Sequence, residues 1–409
     1  MTIGQFSVWL DVQKMPPERR WEANLLPLVW DLPAGHTEDE VWEALGKLAM
    51  RHESMRTTYY IDPQQGPRQQ LGAHDAASVL AQVKQGSTDI SKREDMVDRA
   101  YRTVIDVTAE MPWRAWILTT DEALAQLVVV VNHMAADGVG SLILEADFRA
   151  YLGGTGETLE PAPTPIELAI RQTEGEGASR IRGAERLWRK TYESAPRLTG
   201  AEKPAERVGA TLHTGIPLPM AHEGATKLDI SLGSLILAAY YRALRQVTGT
   251  QKLLLYPMTN NRFDSETATL VSSLNQWVPL LLEFGDDEPF TEIAQRVHWK
   301  TFNALKYGVC GPDTIIAMRD EFEAAQGDLG HYYNPIIAPI GFPSQDVQVP
   351  SHVEWYEPAR STGPGFYLIV RGLTSLDLIV RTNRPGYGKE EIEGYLASIQ
   401  DSLRETIGG

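Results

Sequence analysis

The chain has 409 residues, 43% hydrophobic and 22% charged, with a formal net charge of −16 and one cysteine. That length exceeds a single-core domain, so two domains are expected. The negative balance argues against a nucleic-acid binder, which needs a basic face, and one cysteine excludes an internal disulfide and any Cys-cluster metal site. No window approaches about eighteen uninterrupted apolar residues, and Met1 to Gln5 lack a basic region followed by an apolar one. The expectation is therefore a cytoplasmic protein with neither membrane span nor secretory leader.

In chain order, the segment to Trp9 reads as a short strand or helix start, and Pro16-Pro17 breaks it. Residues 21–32, with Leu25, Leu26, Leu28, Val29 and Trp30, read as a strand stopped by Pro33. Thr37 followed by Glu38-Asp39-Glu40 is a capped helix start. Val41, Leu45, Leu48 and Ala49 form that helix's buried stripe, and it ends near His52; Arg51, His52 and Arg56 are expected to be structural. A strand over 57–62 with a turn at 63–67 comes next, then an amphipathic helix over 91–106. Residues 113–119 and 124–131 read as an antiparallel strand pair turning at Asp121-Glu122. A helix from Gly138 ends at Gly153-Gly154, and residues 161–165 form a proline-stiffened linker.

Residues 166–194 read as helical, with Arg180, Arg182, Arg186, Arg189 and Lys190 as a basic stripe broken only by Glu185. Residues 195–226 lack a period and are expected to cross the surface. A helix led by Ser231 and a strand over 252–258 open a second unit. A strand over 272–282, helices over 288–306 and 313–325, and a turn-rich stretch (Pro335, Pro339, Gly341, Pro343, Pro350) follow. Antiparallel strands over 365–370 and 376–382 and a helix over 389–407 close the chain. Cys310 reads as a small apolar filler. There is no repeat, no phosphate-binding glycine loop, and no His or carboxylate spacing that implies a metal.

The chemistry concentrates at Asn132-His133-Met134-Ala135-Ala136-Asp137-Gly138. Five unalternating apolar residues, Leu127 to Val131, precede it and predict a strand covered on both faces. His133 therefore stands where a buried strand gives way to a helix, at the rim of a low-dielectric core. An imidazole there can stay neutral near pH 7 and accept a proton. Asp137 falls in the first helical turn, which favours a carboxylate, and its charge requires a cation from elsewhere in the chain. A histidine at a strand end is more often a hydrogen-bonded core residue than a catalyst, so the local pattern alone does not decide.

The segment resembles the His-His-x-x-x-Asp-Gly motif of the condensation-domain superfamily: nonribosomal peptide synthetase condensation domains and their chloramphenicol-acetyltransferase-like relatives. His133, Asp137 and Gly138 match, and Asn132 replaces the first histidine. Further segments resemble family motifs in the family's order: Gln5-Phe6-Ser7-Val8-Trp9, Arg51-His52-Glu53-Ser54-Met55-Arg56-Thr57, Met111-Pro112-Trp113-Arg114-Ala115 and Asn261-Arg262-Phe263. The resemblance implies an α/β fold of two acetyltransferase-like sandwich subdomains in a V-shaped pseudo-dimer with a central channel. The subdomains would be residues 1–165 and 227–409, joined by a helix and linker over 166–226.

By the same resemblance, His133 is the catalytic residue, and Asp137 is salt-bridged by Arg262 and shapes the site without doing the chemistry. Asn132 and Gly138 give structural support. Ser272 and Gln276 line the channel where the family usually carries Gly and Asn. The implied reaction is transfer of an acyl or aminoacyl group from a carrier-protein thioester to an amine, or less readily a hydroxyl, by a free-standing enzyme of natural-product (antibiotic) biosynthesis. No cofactor is bound; the phosphopantetheine arm comes with the carrier. The alternative is a degenerate condensation-like domain that binds a carrier and recruits a partner enzyme, favoured by the departures at 132, 272 and 276. Epimerisation of a tethered aminoacyl group would also want a glutamate that the sequence does not place. Because carriers are acidic, their docking needs a locally basic or apolar face on this acidic chain, and the 180–190 stripe is the candidate.

Overall fold

The computed structural model describes residues 1–121, 123–196, 207–285, 287–326, 330–337, 350–358, 363–384 and 387–408. They form two compact units: Met1–Ile181 with Asn260–Gln276 and Gly311–Asp313, and Arg182–Thr259 with Trp277–Cys310 and Thr314–Gly409. The division departs from the expected boundaries, because a stretch of the later chain completes the first unit and the 182–226 region belongs to the second.

The first unit opens on helix α1 (Ile3–Gln13), where Thr2 and Gln5 form a capping box. Strand β1 (Leu28–Asp31) is much shorter than the strand expected over 21–32, because residues Pro17–Ala23 wind into a 3-10 turn instead. Helix α2 (Glu38–Arg51) starts at the Thr37/Glu40 capping box, as the sequence indicates. The hairpin β2 (Thr57–Asp62) and β3 (Gly66–Leu71) turns where Asp62 accepts the backbone N–H of Gln64 and Gln65, both at 2.8 Å. Then come α3 (Ala76–Val83), β4 (Lys84–Asp89), α4 (Arg93–Tyr101), β5 (Trp113–Thr119), β6 (Leu124–Val131), α5 (Gly138–Leu152), α6 (Pro165–Thr173) and α7 (Gly175–Ser194), which passes into the second unit at Arg182. The sheet runs β1-β6-β5-β4, with β5 and β6 antiparallel as expected; Glu122 of the expected turn lies outside the described residues.

β6 is covered on both faces. Leu127, Val129 and Val131 pack with Val41, Leu45, Leu144 and Phe148, while Val128 and Val130 pack with Trp9, Met96 and Met134. Each such fully buried side chain is worth roughly 1.5–3 kcal/mol, which fixes where the strand must end.

In the second unit, residues 208–227 correct the expectation of an irregular crossing. They form strand β7 (Val208–Pro217) and helix α8 (Leu218–Lys227). Alternate β7 residues face the core in a period of two that Gly209 and Gly215 obscure in composition; residues 197–206 of the stretch expected to be irregular lie outside the described residues. Helix α9 (Leu232–Thr248) is capped by Ser231 and stops at Gly249, whose φ of 66° is left-handed. Strand β8 (Lys252–Thr259) follows, and the short α10 (Ser265–Ala268) belongs to the first unit. The strand expected over 272–282 is broken into β9 (Gln276–Trp277) and β10 (Leu280–Glu283). Residues 272–275 are instead held by side-chain and backbone bonds described below.

After α11 (Phe290–Leu305) and α12 (Pro312–Gln326) come β11 (His331–Ile337), β12 (His352–Tyr356), β13 (Phe366–Gly372), β14 (Ser375–Thr382) and α13 (Lys389–Gly408). The sheet order is β10-β8-β11-β13-β14-β7-β12, with α9, α11 and α13 supplying buried side chains to its core. Pro335 lies inside β11 rather than in a turn. The β8 pairing stops at Tyr333, so the missing N–H of Pro335 breaks no ladder bond on that side. Pro339, Gly341 and Pro343 lie outside the described residues. Among the described residues, no helix is long and apolar enough to cross a membrane.

Candidate active site

The end of β6 is fixed from both sides. Asn132 donates its backbone N–H to Pro112 O at 2.8 Å, and His133 donates its own to Ala23 O at 2.7 Å. The Asn132 side chain is only 2% exposed; its Oδ1 accepts the Met134 N–H at 3.0 Å and its amide lies 3.5 Å from Asn24 Oδ1. Asn24 in turn donates to the carbonyls of Tyr101 and Thr103. Asn132 thus holds the turn that carries His133, a task an amide performs with one acceptor and one donor. Asn24 is the partner that sequence reading missed; its only signal is a lone amide in an otherwise apolar stretch.

Asp137 is the N-cap of α5 and is fully buried. Its carboxylate accepts Gly140 N–H (2.9 Å), Leu274 N–H (2.9 Å) and a two-pronged guanidinium bond from Arg262, Nη1 to Oδ2 at 2.8 Å and Nη2 to Oδ1 at 2.9 Å. With both oxygens engaged, this carboxylate clamps Arg262 to the start of α5. The expected pairing of Asp137 and Arg262 is present within one compact unit. Arg262 goes on to donate to Leu270 O (3.0 Å) and Ser272 O (3.3 Å), and Asn261, at a left-handed φ of 51°, donates its side chain to Leu274 O at 2.8 Å. Gly138 begins α5, and a Cβ there would meet nothing within 4 Å.

The clamp sets residues 270–274 against the His133 turn. Ser273 is fully buried, and its Oγ lies 3.2 Å from His133 Nδ1. Thr2 Oγ1 donates to the Ser273 carbonyl at 3.4 Å, and α1 approaches so closely that a Cβ on Gly4 would come within 2.2 Å of that carbonyl oxygen. Ser273 was not singled out by sequence; the available signal was a second serine inside the apolar run 270–274. Ser272 Oγ and Gln276 Nε2 are both buried and have no hydrogen-bond partner among the described residues. His133 itself is half-buried.

The second histidine motif is structural. Asp147 Oδ2, on α5, receives Arg51 Nε at 2.7 Å and lies 2.9 Å from His52 Nε2. This ties the end of α2 to the helix that Asp137 caps. Burial holds the His52 pKa below its usual value, against the opposing pull of Asp147. Arg56 donates to the carbonyls of Ala73 and Met50. Arg114 is buried with its guanidinium on Met111 O, Trp113 O and Glu110, and burial lowers its pKa. Cys310 is buried, and no metal-ligating cluster occurs among the described residues.

A mixed α/β chain that carries His-x-x-x-Asp-Gly at the end of a doubly covered strand, its aspartate clamped by a distant arginine, has the acetyltransferase-like fold. Residues 18–316 match the condensation domain, and the chain belongs to that family. Over its whole length it superposes on a structure of the condensation domain that mediates chain release from the enacyloxin polyketide synthase, with a TM-score of 0.80, 18% identity and 82% of that chain covered. It also superposes on SgcC5 from Streptomyces globisporus, with a TM-score of 0.73, 19% identity and 98% of that chain covered. Among curated relatives, the AMB antimetabolite synthetase AmbB of Pseudomonas aeruginosa is 25% identical over 311 residues, 73% of this chain. Surfactin synthase subunit 1 of Bacillus subtilis is 21% identical over 273 residues, 64% of this chain. The chain spans only a small part of those synthetases, 24% of the first and 7% of the second.

Proposed function

We propose that this chain is an acyltransferase that moves an acyl or aminoacyl group from a carrier-protein thioester to an amine acceptor, or less readily a hydroxyl. The observation that carries the reading is the half-buried His133, held at its backbone by Ala23 and at Nδ1 by Ser273. In the reaction the acceptor nitrogen bonds to the thioester carbon, the C–S bond breaks, and the nitrogen's proton ends on the departing sulfur. His133 assists by hydrogen-bonding the nucleophile or the tetrahedral intermediate, worth roughly 10²–10⁴-fold if it acts as a general base. Holding the two reactants together supplies the rest, with effective molarities up to roughly 10⁵–10⁸ M. The Ser272 hydroxyl and the Gln276 Nε2, without partners among the described residues, repolarise the wall beside His133, where the family carries Gly and Asn.

A second reading, a non-catalytic carrier-binding domain that recruits a partner enzyme, draws on the same departures. Asn132 weakens it: the side chain is spent on the turn that presents His133, so its presence keeps the site's architecture. The phosphopantetheine arm belongs to the carrier substrate in either reading. Intact-mass measurement of a panel of acyl-loaded carriers with candidate amines separates the two. Loss of the acyl mass from one carrier with matching product supports transfer; stable binding of that carrier with no transfer to any acceptor supports recruitment.

A further inference from the structure

Resting on that acyltransferase reading, we propose that Tyr59 is a positioning residue for the transfer. Its hydroxyl, aimed by Gln5, donates to the Met134 carbonyl and fixes the turn that carries His133.

The direction of each bond follows from groups that can only donate or only accept. The Thr2 backbone N–H can only donate, and it does so to Gln5 Oε1 at 2.8 Å within the capping box of α1. The other end of that amide is therefore its NH2, and Gln5 Nε2 donates to the Tyr59 hydroxyl at 3.4 Å. The Met134 carbonyl can only accept, so the Tyr59 proton points there, across 3.3 Å. Gln5, Tyr59 and Met134 are all fully buried. Burial pushes the Tyr59 pKa up, against the pull of the Gln5 bond, and the hydroxyl keeps the proton it donates. The tyrosine backbone is set as well, by its N–H on Val107 O at 2.9 Å.

The rest of the turn is held through its amides. The N–H groups of Asn132 and His133 go to Pro112 O and Ala23 O, that of Met134 to Asn132 Oδ1, and that of Ala135 to Asn132 O. Tyr59 adds a hold on the carbonyl one residue past His133. Helix α1 thereby grips the site twice, through Gln5 and Tyr59 on the His133 turn and through Thr2 on the Ser273 carbonyl. All of these residues belong to the first unit. A misplacement of about 1 Å at a reacting group costs roughly 10²-fold in rate, so a bond that touches no reactant can still govern kcat.

Two measurements on the full chain test this. The first is the transfer kinetics of Tyr59→Phe, which deletes one oxygen and keeps the ring. Its comparator is Val79→Ala, at a fully buried core position on α3 outside the turn's hydrogen bonds. Tyr59→Phe is expected to lose about tenfold to a hundredfold in kcat with KM unchanged, and Val79→Ala to change neither. A kcat loss no larger than that of Val79→Ala would mean that Tyr59 only packs. A raised KM at unchanged kcat would mean that it acts on substrate binding, and either result overturns the proposal. The second is amide hydrogen exchange without substrate. Exchange at residues 133–135 should quicken in Tyr59→Phe and not in Val79→Ala; unchanged exchange there overturns the proposal whatever the activity. Absence of transfer by the unmodified chain contradicts the acyltransferase reading and leaves the exchange result to decide the hold on the turn.

Discussion

At the scale of single residues, the candidate site is organised around the Asp137 carboxylate. Asp137 has both oxygens filled and no exposure, and its partner Arg262 has a side chain only 4% exposed. Removing one member of such a pair leaves a buried charge uncompensated and costs about 3–5 kcal/mol, whereas removing both costs much less. Asp137→Asn is therefore expected to lose most of that amount in urea unfolding, and adding Arg262→Met to recover a large share of it. Simple additivity of the two substitutions would contradict the clamp. The pairing was legible in the sequence because a buried acid demands a cation and the family motif supplied one. The Ser273 contact was not, because a serine in an apolar run carries no mark of which atom it faces.

Among the elements, the strand–helix junction at 124–152 was readable because β6 is apolar without alternation and α5 begins at an obvious cap. β7 was not, because its glycines dilute a period-two pattern that only cross-strand pairing with β14 and β12 makes visible. The 272–282 stretch misled in the opposite way: its composition suits a strand, but Arg262, Thr2 and Asn261 take the carbonyls of Ser272, Ser273 and Leu274 that a ladder would need. Two buried histidines at element ends give the fold a pH dependence. Burial lowers the pKa of His52 and of His331, where Arg384 lowers it further. A histidine whose folded pKa lies below its unfolded value contributes fully above that value, about 6.5, and the contribution is lost as pH falls through it. The melting temperature should therefore hold near pH 8 and drop between pH 7 and 5, with a shallower drop in His331→Gln. An unchanged slope in that variant would contradict the assignment.

At the scale of the whole molecule, two folded units were expected from length, but their composition was not. The 260–276 stretch joins the first unit, so His133, Asp137, Arg262, Ser272 and Ser273 belong to one compact body. Contact order of this kind leaves no trace in local periodicity. The second unit carries the exposed basic face of α7, Arg182, Arg186, Arg189 and Lys190, on a chain of net charge −16. An acidic carrier would be drawn to such a face through a salt-sensitive attraction. The double change Arg182→Glu and Arg186→Glu should weaken carrier affinity about tenfold or more at low salt and flatten its salt dependence. Equal affinity would assign docking to another face.

In the proposed reaction His133 assists acyl transfer while its surroundings only hold it. The most direct measurement is the single-turnover rate of a loaded donor carrier with its acceptor for the unmodified chain and for His133→Ala, with urea unfolding of both. His133→Ala is expected to lose roughly 10²–10⁴-fold in rate, with stability changed by no more than about 1 kcal/mol, as for a partly exposed side chain. Equal rates would contradict it.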